Sequence, residues 1–300
     1  MAMWCVSLDE AEEVKESIRR VFEILETNDK AFDELKNGEG YYQQLKEYFC
    51  HWVRFLKTSN ILPEKTSFYR VRILDGKSIH GVNNKSELMY APKGIKWGRM
   101  NNHSLNVMYT SYHEYTAIAE CRLKESEYFQ LTRFESCQPI KYFELGLFAK
   151  LYFTTPRDSQ TFKQQVEQLF GKGNYSDSAV RGFAALESAL IDGLYSINEN
   201  ADKSYMVSSV IADAIFSELE DIDAIMFPSL QQRFGVNIAF RELTADNLDV
   251  RYTCVNKITK AFETGHYKYQ TIRECLDLTE NVLKYEDVTP QLLNNHCTYR

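Results

Sequence analysis

The chain has 300 residues, of which 44% are hydrophobic and 26% charged, a composition that supports one sizeable globular domain or two smaller ones. Its formal net charge is −7, from 35 Lys and Arg against 42 Asp and Glu, and like charges are not gathered into blocks. This balance argues against a nucleic-acid groove built on a basic surface and favours a small molecule or another protein as the partner.

The seven cysteines are odd in number and widely scattered, without the Cys-x-x-Cys or His-x-x-x-His pairs that would complete a zinc site. We therefore predict reduced thiols in a cytosolic protein and no bound metal. The N-terminus lacks the basic start and the apolar run of a signal peptide, and no window is apolar for long enough to span a membrane. The expected location is the cytoplasm.

The first sixty residues are predicted to form a helical hairpin. Apolar residues keep a three-to-four spacing on both sides of a glycine-containing turn at 37–40. They are Val14, Ile18, Val21, Phe22 and Leu25 before the turn, and Leu45, Phe49, Val53 and Leu56 after it. Core packing is the expected role of these helices, and a recognition surface around Trp52 is the alternative.

A strand-rich region is predicted to follow Pro63. Residues 67–73 alternate as a strand with Phe68, Arg70 and Arg72 on one face. An arginine in such a pattern either faces solvent or reaches an anion. A long loop rich in Gly, Asn, Lys and Pro comes next, and connections of this length are often lids or binding loops.

The turn Gly98-Arg99-Met100-Asn101 carries a candidate anion ligand. Glycine lets the backbone bend and lets a ligand approach closely, while the planar fork of Arg99 matches phosphate oxygens. A loop arginine exposed to solvent is the alternative. A strand at 107–111 follows, whose Tyr109 either stacks on a flat ring or fills the core, and then a helix at 115–122.

This short helix carries Glu120. Helical geometry places Thr116 and Ala117 one turn earlier on the same face, so the carboxylate has small neighbours and room for a substrate. A carboxylate there can accept a hydrogen bond from a ribose hydroxyl and stabilise the positive charge that builds on the sugar as a glycosidic bond breaks. A surface ion pair with Arg122 or Lys124 is the alternative.

The rest of the chain is predicted to alternate strands and helices. Strands are expected at 128–134 and 140–145, helices at 162–170, 180–197 and 205–219, strands at 223–229, 235–241 and 248–255, and helices beyond that, punctuated by Gly265 and Pro290. The Gly171-Lys172-Gly173-Asn174 segment lacks the flanking strand of a phosphate loop and is interpreted as a helix stop and turn.

Ser229 ends a buried apolar strand, where sheet enzymes commonly display polar groups. The sequence around it lacks the Gly-x-Ser-x-Gly frame of a nucleophile elbow, and none of the six histidines has an evident acidic partner. A Ser-His-Asp hydrolase is therefore not expected. A metal-independent ribonuclease using Arg99 and His103 is an alternative that the loop character of the intervening residues disfavours.

These pieces occur in a definite order. They are Phe68-Tyr69-Arg70, Gly98-Arg99-Met100-Asn101, Tyr109-Thr110-Ser111, Thr116-Ala117-Ile118-Ala119-Glu120-Cys121-Arg122, Asp223-Ala224-Ile225-Met226-Phe227-Pro228-Ser229 and Gly235-Val236-Asn237. In this order they resemble the motifs of the RES family, named for its arginine, glutamate and serine, which supplies toxins of certain bacterial toxin–antitoxin systems. The resemblance covers residues 68–241, with Ala224 in place of the usual glycine and Met100 where an aromatic or small residue is common.

The resemblance implies an α+β fold akin to that of ADP-ribosyltransferases, with a mixed sheet and surrounding helices. The expected parts are a helical extension at 1–62, a catalytic domain at 63–245 with a helical insertion at about 155–200, and a C-terminal strand and helical extension at 246–300. A cognate antitoxin or regulatory protein is an expected partner, and a homo-oligomer is a further alternative.

The resemblance also implies that NAD is the substrate, with no further cofactor required. The expected reaction is cleavage of the nicotinamide–ribose bond by water or by phosphate, as in a glycohydrolase or phosphorylase. Transfer to a protein by a mono-ADP-ribosyltransferase is one alternative. A module that binds NAD or ADP-ribose without turnover is an alternative of another class.

The expected substrate-binding residues are Arg70, Arg99, Asn101, Tyr109, Glu120, Ser229 and Asn237, of which Glu120, Arg70 and Ser229 are expected to be catalytic. On this resemblance Arg70 and Arg99 would hold the pyrophosphate, and Tyr109 would pack on a ring of the nucleotide. Glu120 would hold the ribose hydroxyls and stabilise the oxocarbenium-like transition state, while Ser229 would bond to the ribose or nicotinamide end.

Overall fold

The computed structural model describes residues 6–74, 79–90, 97–171, 176–195 and 201–288. Within these ranges the chain forms two compact units, each assembled from separate stretches of sequence. The first unit takes its described residues from 1–60, 94–106 and 142–222, and the second from 61–93, 107–141 and 223–300. The N-terminal helices and the helices between residues 147 and 218 therefore belong to one unit.

The secondary structure confirms the predicted α+β class. The helices are α1 (Leu8–Thr27), α2 (Asp29–Asn37), α3 (Gly40–Val53), α4 (Lys85–Met89), α5 (Glu114–Glu120), α6 (Leu147–Thr154), α7 (Gln160–Phe170), α8 (Asp177–Tyr195), α9 (Ala201–Glu218) and α10 (Glu242–Asp246), with a 3-10 turn at Arg54–Leu56. The strands are β1 (Asn60–Leu62), β2 (Ser67–Leu74), β3 (Val107–Ser111), β4 (Tyr128–Ser136), β5 (Ile140–Glu144), β6 (Ala224–Pro228), β7 (Val236–Arg241), β8 (Leu248–Ala261), β9 (Tyr267–Asp277) and β10 (Lys284–Asp287).

The N-terminal helices bury the stripe that the sequence spacing predicts. Val14, Ile18 and Leu25 on α1 are buried, and α1 packs along α8 while α3 packs along α9. The predicted turn at 37–40 is present. Gly38 adopts a left-handed conformation there, with φ 74°, and ends α2. The predicted first helix of the hairpin is divided into α1 and α2. The Asn28 side chain accepts a hydrogen bond from the Ala31 amide and starts α2 as a separate helix.

The described strands form one ten-stranded sheet in the order β1-β5-β6-β7-β3-β2-β4-β8-β9-β10. The chain passes from one unit to the other within β1 and within β5. Strands β6 to β10 pair antiparallel with β3, β4 or one another. Strand β2 pairs antiparallel with β4 along its whole length and with β3 through one registered pair, Tyr69 opposite Ser111. This register determines which side chains meet on each face of the sheet.

Helix α5 covers one face of the sheet in the second unit. Ala117 and Ile118 are buried there in a core cluster with Val71, Phe129 and Leu131. The partly buried rings that pack against the same cluster are Tyr69, Tyr115, Tyr252, Tyr267 and Tyr269. Glu120, the last residue of α5, is thereby carried on an element whose inner face is anchored in the core.

The prediction of C-terminal helices is wrong for residues 256–288, which complete β8 and form β9 and β10. Gly265, with φ 78°, lies in the hairpin turn between β8 and β9, where the Phe262 amide bonds to the His266 carbonyl. Tyr267 and Tyr269 recur at period two and pack on the core, so tertiary packing decides for a strand. Pro290 lies outside the described residues.

Other sequence predictions differ at their ends. The long loop predicted after β2 contains the short helix α4, and α6, α10 and β1 are additions that periodicity did not indicate. Gly171 ends α7 as expected, whereas residues 172–174 of the predicted turn and 196–197 of the predicted helix lie outside the described residues. No helix in the described ranges is both long and apolar enough to cross a membrane.

Candidate active site

Glu120 stands at the exposed end of α5. The helix begins at His113, whose ring nitrogen Nδ1 accepts a hydrogen bond from the Tyr115 amide at 3.3 Å. Residues 116–119 are buried, and Glu120 is exposed. The local sequence produces this arrangement because small and apolar residues fill the inner face, so the one acidic residue of the last turn points outward.

The carboxylate of Glu120 is held by two side chains of the second unit that are distant from it in the sequence. Its Oε1 accepts a hydrogen bond from Ser229 Oγ at 2.6 Å and another from Asn237 Nδ2 at 2.7 Å. Ser229 follows β6 and Asn237 lies in β7, and these strands pair antiparallel, with Phe227 opposite Asn237. The structure therefore brings together three of the residues that the sequence marks as candidates.

The directions of these two hydrogen bonds follow from their other partners. Ser229 Oγ accepts the backbone N–H groups of Gln231 and Gln232 at 3.1 and 3.0 Å, so its single proton is left for Glu120. Asn237 Oδ1 accepts the hydroxyl proton of Ser111 at 2.7 Å, which turns the amide nitrogen toward Glu120. Both groups act as donors to one carboxylate oxygen.

The roles of Ser111, Gln231 and Gln232 are not predicted by the sequence motifs. Ser111 belongs to the Tyr109-Thr110-Ser111 motif, and period-two alternation along a strand puts it on the face of Tyr109. That alternation was the available signal. The glutamine amides carry none, because backbone contacts depend on loop conformation rather than on residue type.

The second carboxylate oxygen of Glu120 has a different environment. Among the described residues, no hydrogen bond reaches Oε2, and no ion pair links Glu120 to Arg122 or Lys124. The surface ion pair considered as an alternative is therefore not formed. An exposed carboxylate fixed through one oxygen can present the other to a hydroxyl group or to a developing positive charge.

Tyr109 lies beside this network on β3. It pairs with Ala239 of β7, and Ser111 two residues on pairs with Asn237, so all of them share one face of the sheet. Tyr109 is half-buried, and its cross-strand neighbour is small. The Tyr109 ring is therefore neither fully buried in the core nor fully exposed.

Arg70 lies on the opposite face of β2 from Tyr69, as the strand register requires. Its side chain links two backbone carbonyl groups. Its Nε donates to the Leu88 carbonyl at 2.9 Å, and its Nη1 donates to the Tyr109 carbonyl at 3.1 Å. Burial lowers the pKa of Arg70 to about 10, which still leaves the guanidinium charged at neutral pH. No carboxylate in the described ranges pairs with Arg70, so its charge is not neutralised by any side chain that the structure describes.

Arg99 and Asn101 belong to the first unit, whereas the other candidate residues belong to the second. Reciprocal backbone bonds between Gly98 and Asn101 close the turn, and Asn101 is buried. Arg99 Nη1 donates to the Leu194 carbonyl at 2.5 Å, and its guanidinium lies 4.8 Å from the centre of the Tyr195 ring. A cation at the C-terminal end of α8 is electrostatically favourable, so Arg99 is not a freely solvated loop arginine.

Comparison with known proteins defines the class. The family model of the RES domain matches residues 67–255, which is more than half of the chain and includes every candidate residue. The chain belongs to the RES domain family. Among solved structures it is similar to one titled as the MbcT–MbcA toxin–antitoxin complex of M. tuberculosis, at 11% identity and a TM-score of 0.29, over 70% of this chain and 92% of that chain. No curated protein matches the sequence.

The described ranges contain no group of three or more His, Cys, Asp or Glu side chains placed to hold a metal ion. The polar groups gathered at Glu120 are instead hydroxyls, an amide and one carboxylate. Such a set suits hydrogen bonding to a hydroxyl-rich ligand.

Proposed function

We propose that this RES domain protein is an enzyme that consumes NAD by breaking the bond between nicotinamide and ribose. One observation carries the proposal: Glu120 is exposed and fixed through Oε1 by Ser229 and Asn237, while no hydrogen bond from the described part of the chain reaches Oε2. The resemblance of the ordered motifs to NAD-consuming toxins supplies the substrate. On the same resemblance the protein acts as a cytoplasmic bacterial toxin or defence effector restrained by a cognate antitoxin.

The chemistry needs a fixed negative charge more than it needs an acid. As the C–N bond breaks, its electron pair stays on the pyridinium nitrogen of nicotinamide, which leaves as a neutral ring. Positive charge then builds on the ribose ring, and a carboxylate already held in place stabilises it without reorganisation. Water or phosphate next attacks the ribose carbon, and water loses a proton to form ADP-ribose.

Ser229 serves this scheme as a donor and not as a nucleophile. Both acceptor positions of its hydroxyl are used by backbone N–H groups, and its proton is directed to Glu120. Asn237 shares that task. Of the remaining candidates in the second unit, Arg70 is proposed to contact phosphate and Tyr109 to pack on a ring of the nucleotide. Arg99 and Asn101 belong to the first unit, and their roles stay predictions from the resemblance.

The test is incubation of the purified protein with NAD, with and without inorganic phosphate, followed by identification of the products. Free ADP-ribose indicates hydrolysis, and its 1″-phosphate indicates phosphorolysis. We expect Glu120→Gln to lower turnover at least about a hundredfold, because the stabilising charge is lost. Glu64→Gln, at an exposed acidic residue of the same unit, is the matched control and should retain full turnover.

Two other outcomes would replace the proposal. If label from the adenylate half of NAD accumulates on protein, the enzyme is a mono-ADP-ribosyltransferase. If NAD or ADP-ribose raises the melting temperature but is not turned over at high enzyme concentration, the protein is a binding module. Full turnover by the Glu120→Gln variant would exclude the mechanism even if NAD is consumed.

A further inference from the structure

Gln232, in the loop between β6 and β7, connects the donor Ser229 to α5 by a second route. Its side-chain Oε1 accepts the hydroxyl proton of Thr116, and its Nε2 donates to the Gly265 carbonyl at 3.4 Å. Its backbone N–H donates to Ser229 Oγ at 3.0 Å. One residue thus joins α5, the loop and the β8–β9 turn.

The loop is closed tightly against the helix that carries Glu120. Thr116 is 1% exposed and lies one helical turn before Glu120. Gly235 approaches it so closely that a Cβ atom there would lie 2.7 Å from Thr116 Cγ2. Backbone bonds from Ser229 to Gly235 at 2.8 Å and from Gly235 to Gln232 at 2.9 Å complete the loop.

We propose that Gln232 is a positioning residue. Its side-chain bond to Thr116 holds the loop against α5, and the backbone amides of the loop then direct the Ser229 hydroxyl to Glu120. The kinetic consequence rests on the proposed function, whereas the conformational consequence does not. Ser229 is only half-buried, so a loop released from α5 would let its hydroxyl rotate toward water. Among the residues that the structure describes, Glu120 would then keep a single donor, Asn237.

Four substitutions separate the effect of the Thr116–Gln232 hydrogen bond from any general loss of stability. Gln232→Ala removes both side-chain bonds, and Thr116→Val removes the hydroxyl while keeping the shape. Thr116→Ser restores the donor. Leu230→Ala is the matched control, because Leu230 lies in the same loop with an exposed side chain.

We expect Gln232→Ala and Thr116→Val each to lower kcat about tenfold with KM within about twofold, as for loss of one hydrogen bond to a charged group. The double variant should be no slower than the slower single variant, since both break one interaction. Thr116→Ser should recover kcat, and Leu230→Ala should not change it. Three results would overturn the inference. They are wild-type kcat in the Gln232→Ala variant, an effect confined to KM, and effects of the two substitutions that multiply in the double variant.

Hydrogen exchange of the Gln231 and Gln232 amides tests the same inference without any turnover. Thr116→Val leaves the loop sequence unchanged, so faster exchange at these amides, absent in Leu230→Ala, is the expected result. Unchanged exchange would overturn the positioning role. Faster exchange in a protein that does not consume NAD would refute the proposed function alone, and normal kcat in an active Gln232→Ala enzyme would refute the positioning alone.

Discussion

Asn237 illustrates how much of the site depends on a single functional group. Its amide nitrogen donates to Glu120 at 2.7 Å, and its amide oxygen accepts from Ser111 at 2.7 Å. The amide supplies a donor and an acceptor at these two positions with one planar group. The neighbouring Ser229 is equally constrained, because its acceptor positions are filled by backbone amides.

We expect Asn237→Asp to be more damaging than Asn237→Ala. An aspartate would place a second carboxylate at hydrogen-bond distance from Glu120, and two carboxylates so close cannot both be ionised without cost. The Asp variant should therefore lose more stability at pH 8 than at pH 5, where the pair can share a proton. Urea denaturation of both variants at the two pH values measures the difference, and equal behaviour of Asp and Ala would contradict the expected charge repulsion.

At the scale of elements, α8 carries a buried acid that the sequence did not single out. Glu187 is fully buried, and its Oε2 accepts the Phe148 and Ala149 amides at the start of α6, at 2.7 and 3.0 Å. Its Oε1 has no hydrogen-bond partner among the described residues. Burial raises the pKa of Glu187 to about 8, although the helix amides oppose the shift.

The stability of the fold should consequently fall as the pH rises from about 4.5 to about 8. Over that interval the folded protein keeps the Glu187 proton while the unfolded chain releases it, a difference worth about 1.4 kcal/mol per pH unit for one fully shifted group. Glu187→Gln should flatten this dependence, because a neutral amide still offers an oxygen to the helix amides. Urea denaturation at intervals from pH 5 to pH 8 provides the test, and an equally steep slope in the variant would assign the dependence to other groups.

Helices α3 and α9 are joined by a second buried polar group. The Tyr42 hydroxyl donates to Asp213 at 2.5 Å and accepts from Asn102 Nδ2 at 2.8 Å, and Lys46 pairs with the same carboxylate at 3.0 Å. Burial raises the pKa of Tyr42, so the hydroxyl remains a donor at neutral pH. The network also fixes the loop that carries Arg99, because Asn102 Oδ1 accepts the Ser104 and Leu105 amides.

Tyr42→Phe should destabilise the protein by about 1–3 kcal/mol, since Asp213 and Asn102 would each lose a buried partner. Tyr41→Phe, at a neighbouring half-exposed tyrosine, is the matched control and should have a small effect. The measurement is the free energy of unfolding in urea. Equal stability of the two variants would mean that water replaces the Tyr42 hydroxyl without cost.

At the scale of the whole molecule, the N-terminal segment is part of a shared core. Buried residues of α1 and α3, including Val14, Ile18 and Phe49, pack against α8 and α9, which come more than a hundred residues later. A chain that begins at Asn60 would expose the matching faces of α8 and α9. We expect this truncated protein to aggregate and to lack a cooperative thermal transition. A soluble truncated protein with a native-like melting curve would show that the first unit folds without these helices.

The sequence by itself determined the class of the fold and most of the strands from β2 to β8, and it predicts Glu120 as the central carboxylate. These features are local: alternation marks strands, three-to-four spacing marks helices, and the order of short motifs indicates the RES family. Only the tertiary structure decided that Ser229 and Asn237, 109 and 117 positions from Glu120, bond to one of its oxygens. It also placed Arg99 in the other unit and made β9 a strand. Sequence spacing could not reveal these outcomes, because they depend on strand register, loop closure and the burial of Tyr267 and Tyr269, which are properties of the packed chain.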